Sequence, residues 1–404
     1  MMDATPAAAP GKAGSLALLV AAEVLAMALW FMTAAILPQL SLEAGLDTAQ
    51  QAWLSSAVQA GFAFGALAAA VSGLADRIDP RRVMAVASWG AAAATLALLV
   101  VPADGVAAIL LRGLTGALLA GVYPVGMKIA AGWGLKDRGF LVGLLVGALT
   151  LGSALPHLLA FAGGAAWRPV VVTAAAGAAL GGALVLFARL GPHHAVSPRF
   201  RVGAIVLAWR EPRIRAAFAG YLGHMWELYA MWAWLGAALT VSFAVRLGDV
   251  AAVELARLVT FAAIGVGGLF CIAAGRLADR VGKARVAVGA MAVSGAAALA
   301  TAWSLGGPIP LTIVAALIWG AAVIPDSAQF SALVADAAPA AQTGSLLALQ
   351  TALGFALTTA TVQLAPLVAE RTGWAVLLAL LAVGPALGIL AMRPLLRREL
   401  SAAP

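Results

Sequence analysis

Two stretches of the chain carry the same chemistry-bearing side chains at the same spacing. Glu23 is followed at i+4 and i+7 by Met27 and Trp30, and Glu227 by Met231 and Trp234. In a helix each trio shares one face. Both carboxylates sit in the middle of apolar runs. A charge at a bilayer centre costs at least ~2.5–3.5 kcal/mol on insertion scales, so each needs a partner, a hydrated cavity or a proton. Two carboxylates facing one cavity repel when both are ionised, and one is then expected to hold a proton, a property suited to proton carriage. The competing reading is structural: ion pairs with Arg112 or Lys128 that close the cavity. Asp326 is a third intramembrane carboxylate. It follows Pro325, whose missing N–H frees a carbonyl and allows a kink.

The two cations of the fourth apolar run are 16 residues apart, about 160° around a helix. Arg112 and Lys128 therefore point to opposite sides, and Lys128, near a span end, can also snorkel to the interface. His224, Glu227 and Met231 share a face that could hold a soft cation such as Cu(I), with Met225 about 100° from His224. No metal site is assigned, and no cofactor is expected. Tyr221, Trp226, Tyr229, Trp232 and Trp234 crowd the same run and suit either stacking on a planar solute or core packing. Cys271 is the single cysteine, which excludes an intramolecular disulfide.

The elements that must position these residues are legible from composition. Of 404 residues 63% are hydrophobic and 10% charged, and the mean hydropathy is +0.99, outside the range of soluble domains. Continuous apolar runs of about 20 residues, not alternating ones, predict membrane-spanning helices. The expected spans are 15–40, 52–74, 82–101, 105–131, 139–163, 168–190, 216–243, 255–275, 284–304, 308–334, 344–369 and 374–394. Abundant Ala and 44 Gly suit close helix packing in lipid. Residues 1–14 are expected to be disordered. The first span is too long for a cleavable signal peptide, and no small-residue cleavage site ends it.

With the N-terminus in the cytoplasm, 19 of the 25 Lys and Arg fall on that side and four, Arg168, Arg246, Arg257 and Arg371, on the other. That asymmetry predicts both termini in the cytoplasm. The net charge of +8 is thus topological and gives no reason to expect nucleic acid. The longest polar connection, 191–215, divides a six-helix unit at 15–190 from a second at 216–396, with a tail at 397–404. Within it, Val202 to Arg210 could lie in the interface as an amphipathic helix.

The halves repeat in parallel. Leu74–Arg77 (LADR) recurs at Leu277–Arg280, Arg82-Val83 at Arg285-Val286, Glu23–Trp30 at Glu227–Trp234, and Val122-Tyr123-Pro124 at Val323-Ile324-Pro325. The chain resembles the major facilitator superfamily over nearly its full length. The loop signature of that family, G-x-L-A-D-R-x-G-[RK]-x-[RK], is matched in the second half by Gly275, Leu277, Asp279, Arg280, Gly282, Lys283 and Arg285. The first half departs, with Ser72 at the first glycine position and Asp79-Pro80 around the second. Arg112 in LLRGLTGALLAG resembles the arginine-and-glycine motif of span four. The proline-glycine motif of drug antiporters is poorly met, since Pro156 has no Gly-Pro pair.

The resemblance implies two six-helix bundles of an all-α transporter around a central cavity lined by spans one, four, seven and ten, where all five intramembrane charges fall. It implies a monomer in the inner membrane that carries a small organic solute by alternating access, coupled to protons, and no enzyme. Asp76, Arg77 and Arg82 with Asp279, Arg280 and Arg285 would form a cytoplasmic latch, each Asp facing a neighbouring helix N-terminus. A metal-ion or inorganic-anion carrier is the alternative. Nitrate-type porters place their anion-binding arginines in spans two and eight, and those interiors read here as free of basic residues. A channel or a membrane enzyme stands further off, because no metal, nucleophile or phosphate motif is present.

Overall fold

The computed structural model describes residues 11–73, 77–134, 137–164, 166–194 and 201–401. Twelve long helical elements follow one another: α1 Lys12–Ala44, α2 Thr48–Ser72, α3 Pro80–Ala97, α4 Val106–Ala131, α5 Arg138–Ala162, α6 Arg168–Val185, α7 Pro212–Leu247, α8 Asp249–Val281, α9 Lys283–Ser304, α10 Ile309–Ala337, α11 Ala340–Thr372 and α12 Trp374–Ser401. Among the described residues eleven of these are long and apolar enough to cross a membrane. The twelfth, α3, is an 18-residue helix that starts on Pro80-Arg81-Arg82 and packs between α4 and α6. Asp79 caps it, accepting from the Arg81 backbone N–H at 2.9 Å and pairing with the Arg81 guanidinium at 2.6 Å. The Arg81 hydrogen bond holds the Asp79 carboxyl below its ordinary pKa. The Asp-Pro departure from the loop signature is thus a helix start with proline in its first turn.

Three elements break over several residues inside the bundle, and α12 is interrupted at Ala382 alone. The first part of α1 ends at Met27 and the second begins at Met32. Likewise α4 is interrupted between Leu119 and Tyr123, and α10 between Val323 and Ser327. Pro124 follows the α4 break and Pro325 lies inside the α10 break, as residues without an N–H should. The 160° separation of Arg112 and Lys128 assumes an unbroken helix, so the turn at 120–122 removes it. In contrast, α7 runs 36 residues without interruption.

Two helix pairs make most of the contact between the halves, α2 on α11 and α5 on α8. Contacts at one end anchor each chain end within its own half: Lys12 pairs with Asp137 at 2.6 Å, and Glu399 of α12 caps the start of α9 through the Ala284 and Arg285 N–H groups, while Asp279 lies over the first turn of α5. Helix α1 starts at Lys12, three residues before the expected span and inside the stretch read as disordered. The short helix Gly203–Arg210 turns Ala204 and Ala208 inward and leaves Ile205, Val206 and Trp209 exposed, a face suited to the membrane interface.

Glycine sets the closest approaches. A Cβ on Gly61 of α2 would fall 1.8 Å from the Gly113 carbonyl oxygen of α4, whereas nothing lies within 4 Å of the corresponding point on Gly289 of α9. Gly61→Val should therefore cost about 3 kcal/mol or prevent folding, and Gly289→Ala should leave the midpoint of thermal unfolding in detergent unchanged.

Candidate functional site

The break in α1 is held by Arg112. Its guanidinium reaches across from α4 and donates to the carbonyls of Leu29 at 3.0 Å and Trp30 at 2.7 Å. These groups lie in the interruption at 28–31, where the intrahelical ladder lapses, and a cation is favoured at the C-terminal end of the first segment. Arg112 is fully buried. It therefore serves the backbone of α1, and Glu23 is left out.

Glu23 is fully buried, and among the described residues neither carboxylate oxygen has a hydrogen-bond partner. It faces the broken part of α4, where a Cβ on Gly126 would stand 2.9 Å from its Oε2. Lys128 lies two residues further, in the last turn of that segment. Glu227 sits differently. It accepts from Ser294 Oγ of α9 and, at 2.8 Å, from Trp319 Nε1 of α10, inside its own half. The structure does not turn the two carboxylates onto one shared cavity, because each is directed between helices of its own bundle. One turn before Glu227, His224 Nδ1 stands 2.8 Å from Asp326 Oδ1 at the α10 break. His224 packs on Tyr221 and Phe330. Among the described residues no three His, Cys, Asp or Glu side chains converge as metal ligands.

The aromatic residues divide by depth. Trp30 and Phe31 of α1, Phe62 of α2, Tyr229 and Trp232 of α7 and Phe355 of α11 form one cluster between the halves, with neighbouring ring centroids 4.4–6.4 Å apart. Met27 and Met231 are buried in the core. Beyond the cluster, at the end away from the chain termini, a cavity of about 340 Å³ opens between α1, α2, α5, α7, α8, α11 and α12. Of the residues singled out from the sequence for the pathway, only Trp234 lines it. The others on its wall, among them His157, Arg257, Glu370 and Trp374, carried no repeat or motif. Arg257 corrects the reading that the interior of span eight is free of basic residues: counted with the outer cations, it lies nine residues into α8 and is 6% exposed. It donates to the carbonyls of Ala160 and Gly164, the C-terminal end of α5.

At the other end the second signature reaches across the halves. Asp279 lies against the start of α5, 3.6 Å from where a Gly139 Cβ would be, and Arg276 stands 5.3 Å over the Phe140 ring. Lys283 pairs with Asp336 of α10, and Arg285 donates to the Glu399 carbonyl at 2.6 Å; both contacts stay inside the second half. Asp76 lies outside the described residues, while Arg77, Arg82 and Arg280 are at this same end.

The family model described as Major Facilitator Superfamily matches residues 19–360. The chain is similar in structure to a mutant form of the nucleoside transporter NupG, with 15% identity and a TM-score of 0.71 over 94% of this chain and 99% of that one. It is also similar to the xylose transporter XylE from E. coli in a partially occluded inward-open conformation, with 12% identity and a TM-score of 0.72 over 96% and 98%. At these identities the likeness shows the fold. No curated protein matches at the sequence level.

Arg112→Met removes the donors of Leu29 and Trp30 without an equivalent replacement. The expected loss is about 2–5 kcal/mol of stability, read by unfolding in detergent. Ser294→Ala, which takes one of two donors from Glu227, should cost about 1–3 kcal/mol in the same measurement.

Proposed function

Because the chain belongs to the major facilitator superfamily, we propose that it is a secondary active carrier of a small organic solute, driven by protons. In this reading it is a multi-pass protein of the inner membrane with twelve spans, α3 being the third, and both termini in the cytoplasm, and a single copy forms the pathway. The lysine and arginine asymmetry supports that orientation. The cavity then opens outward, above the aromatic cluster, and its volume of about 340 Å³ suits a solute of the size of a nucleoside or a sugar, the cargoes that the two structural relatives are named for. The α5–α8 contacts around Asp279 and Arg276 close the cytoplasmic end in this state. Rocking of the halves would open that end and close the cavity.

Glu23 carries the coupling reading. A carboxyl with no donor on either oxygen, deep in the membrane, is stable as the neutral acid and costly as the anion. Its proton leaves when the α1 and α4 breaks hydrate in the other state. Glu227, with two fixed donors, is the positioning counterpart in the second half, and the His224–Asp326 pair fastens the α10 break to α7.

In proteoliposomes Glu23→Gln should reduce pH-gradient-driven uptake by about tenfold or more while solute counterflow continues. Wild-type transport indifferent to the gradient, with Glu23→Gln harmless, would refute the coupling. Cys271 gives a second check. It is the only cysteine and is 4% exposed against the α5–α8 contact, where Gly143 packs on its carbonyl. Maleimide labelling should be slow in the outward-open state and faster by about tenfold or more in the inward-open one, for instance after Asp279→Asn releases the latch.

A further inference from the structure

One corner of the cavity, where α5, α7 and α8 meet, holds three buried polar side chains whose hydrogen-bonding capacity the fold leaves unused. His157 of α5 is 2% exposed, and Thr260, one turn beyond Arg257 on α8, is fully buried. His157 and Arg257 line the cavity. His157 and Thr260 meet beside Gly236 of α7: a Cβ there would stand 3.8 Å from His157 Cε1 and 3.4 Å from Thr260 Oγ1. The α5 carbonyls take up Arg257 Nη1, but among the described residues its Nε has no acceptor, and neither His157 Nε2 nor Thr260 Oγ1 has a partner. Buried polar groups are nearly always satisfied, so three idle ones in one corner point to a group that joins them.

The charge and the rest of the wall say which group. The only charge acting on this guanidinium among the described residues is the exposed Glu254 one turn before it, so inside the cavity its planar N–H edge is open to a carboxylate. The remaining lining is mostly small and apolar, with the indoles of Trp234 and Trp374 at 6.3 Å between centroids. Ser41, Thr48, Gln51 and Thr240 are the uncharged polar side chains of the lining besides His157, too few for every hydroxyl of a polyhydroxylated solute, whereas an apolar body with one charged end needs only the corner. The single carboxylate of the lining, Glu370, is exposed.

We propose that this corner is a carboxylate site and that the cargo is a compact amphipathic organic acid, its carboxylate on Arg257, His157 and Thr260 and its body against Trp234 and Trp374. The assignment rests on the carrier reading. It is tested on the purified full-length protein by thermal unfolding with phenylacetate, 3-phenylpropionate and octanoate, and with phenylacetamide and phenethylamine as neutral and cationic controls. The acids should raise the midpoint by about 2 °C or more near saturation, and the controls should not. His157→Ala and Thr260→Val keep the Arg257 contacts to α5, so each should melt like the wild type without ligand and bind the acids about tenfold more weakly. Thr260→Ser, which retains the hydroxyl, should bind as the wild type does. Equal shifts with the amide or the amine, no shift with any acid, or undiminished binding in both variants overturns the site. Counterflow separates the two readings: exchange of neutral solutes without acids sinks the carboxylate site alone, and a saturation-free leak sinks the carrier.

Discussion

Arg112 and the carbonyls of Leu29 and Trp30 form the contact on which the centre of the molecule depends. Inside a bilayer a helix cannot interrupt its hydrogen-bond ladder unless another group takes the freed carbonyls. A buried guanidinium does this well, because it brings donors and a positive charge to the C-terminal end of a helix segment. With that contact made, α1 can turn at 28–31 and present Trp30 and Phe31 to the opposite half. The aromatic cluster then forms between the bundles, and the cavity lies beyond it.

The same contact explains an asymmetry between otherwise similar halves. At the offset that aligns the breaks of α4 and α10, Arg112 corresponds to Ile313. Among the described residues no guanidinium bonds the backbone in the middle of α7, and α7 remains one unbroken helix. Its carboxylate, Glu227, is then fixed by Ser294 and Trp319, while the equivalent Glu23 is left bare beside Gly126. Two glutamates related by the repeat thus acquire different chemistry. One is held by two neutral donors, and the other has only a proton to neutralise it.

Much of the architecture was readable in advance because its physics is local. Hydrocarbon thickness sets the length of each apolar run, proline marks the breaks at 120–122 and 324–326, and the recurrence of LADR sets the repeat. Only α3 fell short of the hydropathy of a span, since Arg81 and Arg82 lie within its first turn. The cavity was hardly readable at all. Trp234 alone was singled out, while His157 and Thr260 are isolated polar residues in apolar runs with no motif around them. Arg257 was counted on the outer side although it falls within the expected span 255–275, and a wheel or a charge count cannot show that α5 ends beside it.

By itself the sequence determined the class, the repeat and the intramembrane charges Glu23, Arg112, Glu227 and Asp326. These follow from composition and from spacing along one helix. Tertiary structure alone decided which of those groups are satisfied. Hydrogen-bond partners here come from other helices: α4 for the α1 break, α9 and α10 for Glu227, α5 for Arg257. Partnership across helices depends on how the bundles rotate and approach, which glycines at the crossings fix to within an ångström. Repetition in the sequence told where Glu23 and Glu227 stand, and packing told them apart.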